Sequence, residues 1–189
     1  MALLKQIQSR RAYRTLDTKP IALEILLRLL EAAHLAPSYS NNQPWRIVTV
    51  VEPARLEALK ASLTPGNYWA RKAPAISAFV TRLDWDARLD GGRDYALFDL
   101  GQAVMAYQLQ AVEEGLHVHP IAGFNPAIAK EALGIPEAAI LEILVILGWP
   151  GDPSGLSEKH QAGEKSPRSR KPLEEIAAFD AWSDRLFPL

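Results

Sequence analysis

The sequence predicts an α+β fold, a central mixed sheet covered by helices with one long helix buried against it. Three observations carry this expectation. Apolar residues recur at helical spacing from Ile21 to Leu35 and, over the longest stretch, from Asp94 to Gly115. Extended runs alternate with them: Arg46 to Val51, Ala75 to Val80, His117 to Phe124 and Ile140 to Gly148. No repeat or second domain interrupts the pattern, so 189 residues with 48% hydrophobic content form a single domain, 1–189, with a core of its own.

Taken in order, Leu3, Leu4 and Ile7 sit at helical spacing, and Ser9-Arg10-Arg11-Ala12-Tyr13-Arg14 follows as a basic cluster. Such a cluster is either a solvated turn or a clamp for phosphate, whose oxygens match guanidinium forks. Ile21, Ile25, Leu29 and Ala32 or Ala33 then give one helix face, widened by Leu26 and Leu30. The helix delivers the chain to Ala36-Pro37-Ser38-Tyr39-Ser40-Asn41-Asn42-Gln43-Pro44-Trp45, a long polar joint before the first strand. Its amides and hydroxyls either cap their own backbone or face a ligand. Pro53 suits the first turn of a helix reaching Leu63, which Thr64-Pro65-Gly66-Asn67 breaks. Arg82 to Arg93 reads as an exposed loop.

In the long helix, Leu97, Leu100, Val104, Tyr107 and Ala111 form a stripe, and Gly115 is a C-cap. Ala96, Gly101, Ala103 and Ala106 are small enough for a second backbone, including that of another subunit, to approach closely. His117 and His119 share one face of a strand; with no third ligand nearby they read as structural. Pro126 opens a short helix ending near Leu133-Gly134, and the near-continuous apolar run Ile140 to Gly148 implies a strand buried on both faces. Residues 150–172 turn to Pro, Gly, Ser and charge, a flexible loop holding a second basic cluster at Arg168, Arg170 and Lys171. The C-terminal arm, 173–189, carries Ile176, Phe179, Trp182, Leu186 and Phe187, too apolar to hang free, so it docks on its own domain or across a dimer.

Composition excludes several chemistries. The net charge of -1 supplies no global field for nucleic acid or an anionic membrane, so any anion site is local. The absence of cysteine removes disulfides, thiolate catalysis and cysteine-ligated clusters, and redox work would need a borrowed cofactor. No membrane-length apolar run or signal-peptide pattern is seen, which makes the cytoplasm the expected address. Nor is there a dinucleotide glycine motif, a P-loop or a nucleophile elbow. Glu113-Glu114 and Glu174-Glu175 read as solvated helix faces.

The order and spacing of six segments, Ser9-Arg10-Arg11-Ala12-Tyr13-Arg14, Ala36-Pro37-Ser38 with Asn41 and Gln43-Pro44-Trp45, Asp99-Leu100-Gly101-Gln102-Ala103, Pro120-Ile121-Ala122-Gly123-Phe124, Leu133-Gly134-Ile135-Pro136 and Arg168-Ser169-Arg170-Lys171-Pro172-Leu173, resemble the nitroreductase family. The resemblance implies a nitroreductase-like homodimer with FMN at the subunit interface and NADH or NADPH as co-substrate. It also implies hydride transfer through flavin N5 to a nitroaromatic, quinone or related small-molecule acceptor.

By the same resemblance, Arg10, Arg11, Ala12, Arg168 and Arg170 belong to the phosphate and ribityl contacts, and Arg14 stands at the pyrimidine edge of the flavin. Pro37, Ser38, Tyr39, Asn41 and Gln43 form a loop over the partner's flavin, while Pro120, Ile121, Ala122 and Gly123 approach N5 through backbone; Asn67 adds a polar contact. The other readings are a flavin carrier or sensor without turnover, and a dehalogenating or flavin-fragmenting branch of the same fold. Two positions depart from the family pattern: Ala12, where a phosphate-binding hydroxyl is common, and Asn125, where an acid often follows Gly-Phe.

Overall fold

The computed structural model describes residues 3–186. Helices and strands follow one another as α1 (Lys5–Ser9), β1 (Leu16–Asp17), α2 (Leu23–His34), β2 (Arg46–Val50), α3 (Pro53–Lys60), β3 (Ala75–Thr81), β4 (Arg88–Leu89), β5 (Arg93–Asp94), α4 (Tyr95–Glu113), β6 (His117–Ile121), α5 (Pro126–Leu133), β7 (Ile140–Pro150) and α6 (Glu158–Lys165). The sheet grows from β7. It pairs with β3 from Leu147 to Ile140 and with β6 from Gly148 to Leu144. Its last residues, Trp149 and Pro150, take β1, and β2 lies on the outer side of β3. Every one of these pairings is antiparallel, which corrects the expected mixed sheet. Alternating helix and strand signals establish that strands are separated by helices, but not the direction in which each strand returns.

Alternation along the central strands divides the core in two. Ile76, Ala78, Val80, Leu144 and Ile146 meet Leu56 and Leu59 of α3 and Ala129 of α5 on one face. Ala75, Phe79, Val145 and Leu147 meet Leu26 and Leu29 of α2 and Leu100, Val104 and Tyr107 of α4 on the other. A strand clothed on both faces reads as a continuous apolar run, which is why β3 and β7 do. One polar chain crosses this core: Ser77 Oγ lies 2.6 Å from the Tyr107 hydroxyl and 2.8 Å from Thr49 Oγ1. Burial pushes the Tyr107 phenol up to about 12, so it stays neutral.

Local chemistry sets the element ends. The Glu52 carboxylate caps α3 by accepting from Ala54 and Arg55 N–H, with Pro53 in the first turn. Asn125 does the same for α5 through Ala127 and Ile128 N–H, which gives this departure from the family pattern a structural duty. Gly115 (φ 78°) and Gly134 (φ 65°) end α4 and α5 in the left-handed region.

Several expectations change. Leu97 is exposed; with Phe98, Gly101 and Met105 it lies on the open face of α4, while Ala96, Leu100, Ala103 and Tyr107 face α2 and the sheet. Residues 82–93 are a 3-10 turn (Leu83–Trp85) and the β4–β5 hairpin rather than a loop. The helix after Pro53 stops at Lys60, and a 3-10 segment, Pro65–Lys72, follows the break. The stretch 150–172 is not structureless, because Ser157 caps α6 within it. Within the single chain Leu173, Ile176, Phe179 and Trp182 stay exposed, as do Leu3, Leu4 and Ile7; Phe187 lies outside the described residues. Among the described residues, no helix is long and apolar enough to cross a membrane.

Phe79 is fully buried and meets the Tyr107 ring edge-on at 5.3 Å. Phe79→Ala should therefore cost about 3–5 kcal/mol in denaturant unfolding, with an unchanged denaturant slope.

Candidate functional site

The two arginine clusters, far apart in the chain, meet in space. A helix end leaves carbonyls without intrahelical donors, and α1 presents these at Ile7, Gln8 and Arg10. Arg168 fills them: Nη1 donates to Ile7 O at 3.1 Å, and Nη2 donates to Gln8 O at 3.0 Å and to Arg10 O. Arg10 stands beside Arg168 and Arg170, and burial, then the fields of those two cations, lower its pKa. None of the three guanidiniums makes an ion pair among the described residues. Like charges gathered in this way are mutually repulsive until an anion joins them, and a phosphate offers oxygens in the matching geometry. Arg11 turns aside, donating to Gly163 O at 3.2 Å and lying over the Tyr13 ring at 5.4 Å. Ala12 is exposed.

Residues 13–15 run beside β6. Tyr13 O lies 3.1 Å from His119 Nδ1 and Thr15 O lies 2.7 Å from His117 Nδ1, so each neutral ring donates to backbone. The Tyr13 ring stacks on His117 at 4.3 Å. Both histidines thus do structural work, and among the described residues no group of three or more metal-type ligands forms. Burial drives the His119 pKa down to about 4, helped by Arg14 and Arg10. Trp69, 2% exposed, covers His119 at 4.5 Å, and the Arg14 guanidinium carbon lies 6.0 Å from the Trp69 ring centre. The Glu164 carboxylate accepts Arg14 N–H at 3.0 Å and the Thr15 hydroxyl at 2.9 Å. The Arg14 backbone is therefore fixed, and its half-buried guanidinium forms no ion pair among the described residues.

The third wall is the turn after β6. Gly123 O accepts Asn67 Nδ2 at 2.7 Å, Thr64 Oγ1 at 2.9 Å and Thr64 N–H at 3.1 Å. A Cβ on Gly123 would stand 2.5 Å from Asn67 Nδ2 and 2.9 Å from Thr64 Oγ1, so a larger residue would push both side chains off the Gly123 carbonyl. Ile121 points its side chain into the core, and any part it plays at the surface belongs to its backbone.

The polar loop makes its bonds away from these walls: among the described residues they run to itself, to Arg46 of β2, Thr81 of β3, α4 and the 82–93 segment. Ser38 Oγ accepts Gln43 N–H at 2.9 Å, Gln43 Nε2 donates to Asn41 Oδ1 at 3.0 Å, and Tyr39 N–H donates to Asp99 at 2.7 Å. Ser40, Asn41 and Gln43 hold positive φ, and Trp45 anchors the loop's end in the core. The structure thus brings together Arg10, Arg14, Asn67, Pro120 to Gly123, Arg168 and Arg170, with Arg11 at their edge. It leaves Pro37, Ser38, Tyr39, Asn41 and Gln43 elsewhere on the chain.

Sequence reasoning missed the α6 side. The Tyr68 hydroxyl accepts Ser157 N–H at 2.8 Å and pairs with His160 Nδ1 at 3.0 Å, the two rings stacked at 5.5 Å. Adjacent aromatics at Tyr68-Trp69 were a usable signal; nothing in the sequence marks Glu164.

A model of the nitroreductase family matches residues 7–149. The chain belongs to the nitroreductase family. An NADH dehydrogenase of Thermus thermophilus is 31% identical over 90% of this chain and 92% of its own. A 5,6-dimethylbenzimidazole synthase of Rhodospirillum rubrum is 29% identical over 85% and 88%. The crystal structure of an oxidoreductase containing FMN superposes with a TM-score of 0.83 at 29% identity, over 97% of this chain and 94% of that one. The stretch matched by the nitroreductase model holds Arg10 to Arg14, the polar loop, Asn67 and Pro120 to Gly123, while α6 and Arg168 lie beyond it.

The folded pKa of His119, about 4, lies below the ordinary 6.5, so between those values the folded protein binds fewer protons than the unfolded chain. Stability is therefore lost as pH falls through that window. NMR titration of the His119 ring should give a midpoint near 4; one near 6.5 would show the ring to be solvated.

Proposed function

We propose that this chain is an FMN-dependent oxidoreductase that takes hydride from NADH or NADPH and passes it, in a ping-pong sequence, to a nitroaromatic, quinone or related acceptor, working as a homodimer. The observation that carries this reading is the meeting of Arg10, Arg168 and Arg170, three cations brought together with no ion-pair partner among the described residues. These residues would hold the FMN phosphate by charge-assisted hydrogen bonds. FMN, when bound, supplies the centre that accepts and donates hydride.

The chain's own part is positioning and electrostatics. Arg14, walled by Trp69 and the neutral His119, would offer its positive charge to the pyrimidine side of the flavin, where negative charge gathers on reduction. Low-polarity walls strengthen that interaction relative to water. The backbone of Pro120 to Gly123 would approach flavin N5, and Asn67 would add a polar contact. The names of the relatives, an NADH dehydrogenase and an oxidoreductase containing FMN, support the same chemistry.

Among the described residues the polar loop makes no bond to Arg10, Arg14, Arg168 or Arg170, which fits a loop that serves a second copy. Ser38, whose oxygen already accepts Gln43 N–H, keeps its own O–H as a donor for that cofactor. Pro37, Tyr39, Asn41 and Gln43 would complete the cover. The open face of α4, with Leu97, Phe98 and Met105, and the exposed Leu173, Ile176, Phe179 and Trp182 provide the apolar surface that a partner would bury.

Protein loaded with FMN and freed of excess should be yellow and should bleach when mixed anaerobically with NADH or NADPH. Colourless protein overturns the reading, and a yellow protein inert to both nucleotides would be a carrier or sensor. Consumption of the FMN itself would mark the flavin-fragmenting chemistry instead. Arg10→Ala combined with Arg168→Ala should weaken FMN binding about a hundredfold or more in a fluorescence titration. Truncation after Pro172 should turn the dimer into monomer or aggregate by light scattering; a stable FMN-loaded dimer would show that the arm does not hold the subunits together.

A further inference from the structure

The loop Ser38 to Gln43 holds Ser40, Asn41 and Gln43 at φ 46°, 58° and 49°, a run of left-handed non-glycine residues that persists only where its surroundings enforce it. Two carboxyls from different elements do the enforcing. Asp99 of α4, 1% exposed, accepts Tyr39 N–H at 2.7 Å and Gln102 Nε2 at 2.8 Å. Asp86, between the Leu83–Trp85 turn and the β4–β5 hairpin, uses Oδ1 to accept Asn42 Nδ2 at 3.0 Å and Ala87 N–H at 2.8 Å. Its Oδ2 is buried and finds no donor on any described residue. Both carboxyls hold the same loop, Asp99 at Tyr39 and Asp86 at Asn42, and the nearness of Asp86 is among the causes that raise the Asp99 pKa, after burial.

Two ionised carboxylates held so near would repel strongly, and two acceptors cannot bond without a proton. Among the described residues no cation pairs with either carboxyl, and Arg93 donates to Asp90 O at 3.1 Å. Arg82 pairs with Asp84 at 2.6 Å, Arg88 pairs with Asp94 at 3.3 Å, and Arg46 lies over the Trp85 ring at 4.7 Å. The remaining titratable neighbour, Tyr95, packs its ring edge-on against Tyr39 at 5.4 Å.

We propose that Asp86 and Asp99 share a single proton, and that this acid pair is the latch that sets the conformation of the Ser38–Gln43 loop. The shared proton supplies Asp86 Oδ2 with the partner it lacks and lets both carboxyls keep their bonds to Asn42 and Tyr39. Loss of the proton sets two negative charges against each other across the latch, and the loop loses both anchors together. Asp86 and Asp99 are positioning residues, since they touch the loop and not the cofactor. Their bearing on catalysis rests on the reading of this loop as the cover over the partner's FMN.

The sign of the pH dependence follows. Burial first, and the Asp86 contact as a further cause, raise the Asp99 pKa above its ordinary 3.8. The folded protein then keeps a proton that the unfolded chain has released. Stability and loop order are therefore lost as pH rises from that ordinary value through the raised one.

Asp86→Asn places an N–H donor where the shared proton stood and keeps an oxygen for Asn42 and Ala87, whereas Asp86→Ala removes both anchors on that side. Both variants are measured without FMN, so the outcome is separate from the flavoprotein reading. Relative to Asp86→Asn, wild-type protein should lose melting temperature as pH rises above the carboxylate range. Asp86→Ala should be cut within residues 38–43 about tenfold faster by limited proteolysis. An unchanged pH slope in Asp86→Asn, or an Asp86→Ala loop as protected as wild type, overturns the proposal. Should neither variant fold, carbon NMR of the wild-type side-chain carboxyls decides: one of the pair must stay protonated well above the ordinary range, and two ordinary titrations overturn it. In FMN-loaded enzyme, KM for the acceptor should rise with pH in wild type and stay flat in Asp86→Asn.

Discussion

Arg168 spends its guanidinium on the carbonyls that α1 leaves open at Ile7, Gln8 and Arg10, and the convergence of charge at the candidate site follows from that one joint. The segment after β7 has no ladder to hold it, so side-chain bonds must tie it down. Arg168 ties one end; Glu164, through Arg14 N–H and the Thr15 hydroxyl, ties the middle. Both attachments land on residues 7–15, and that segment is in turn fixed to β6 by the two histidine rings. The positive charge of the site thus rests on a relay of bonds from sheet edge to N-terminal segment to C-terminal segment.

Much of the scaffold could be read from residues because burial on both faces leaves a strong mark. The run Ile140 to Gly148 could hardly be anything but a central strand, and Gly115, Gly134, Pro53 and Pro126 mark ends through backbone preferences that act locally. What could not be read depends on distant partners. Strand direction is decided by connections, and the exposure of Leu97 by which side of α4 meets α2. The helix α6 has no apolar stripe to announce it, since it is held by polar bonds from Tyr68, Arg11 and Thr15.

The candidate site shows the same division. The arginines were visible as clusters, and their meeting was expected only from the resemblance to a family, because nothing local to Arg10 says that Arg168 is near. Gly123 was noted as the end of a strand; that its missing Cβ makes room for Asn67 is a fact of three dimensions. The polar loop kept both of its readings: Ser38, Asn41 and Gln43 do bond one another, as in a plain connector, yet the positive φ values at Ser40, Asn41 and Gln43 exceed what a connector needs.

The Arg168 joint also orders events during synthesis. The sheet and the buried residues of both core halves lie within the chain up to Pro150, while the guanidinium that completes the charge cluster belongs to a later part of the chain. A nascent chain can fold its strands and helices before Arg168 and Arg170 join Arg10. The charge cluster is thereby completed after the core rather than with it, and a chain released before Arg168 by a stalled ribosome would carry a folded core with the carbonyls of Ile7, Gln8 and Arg10 left open.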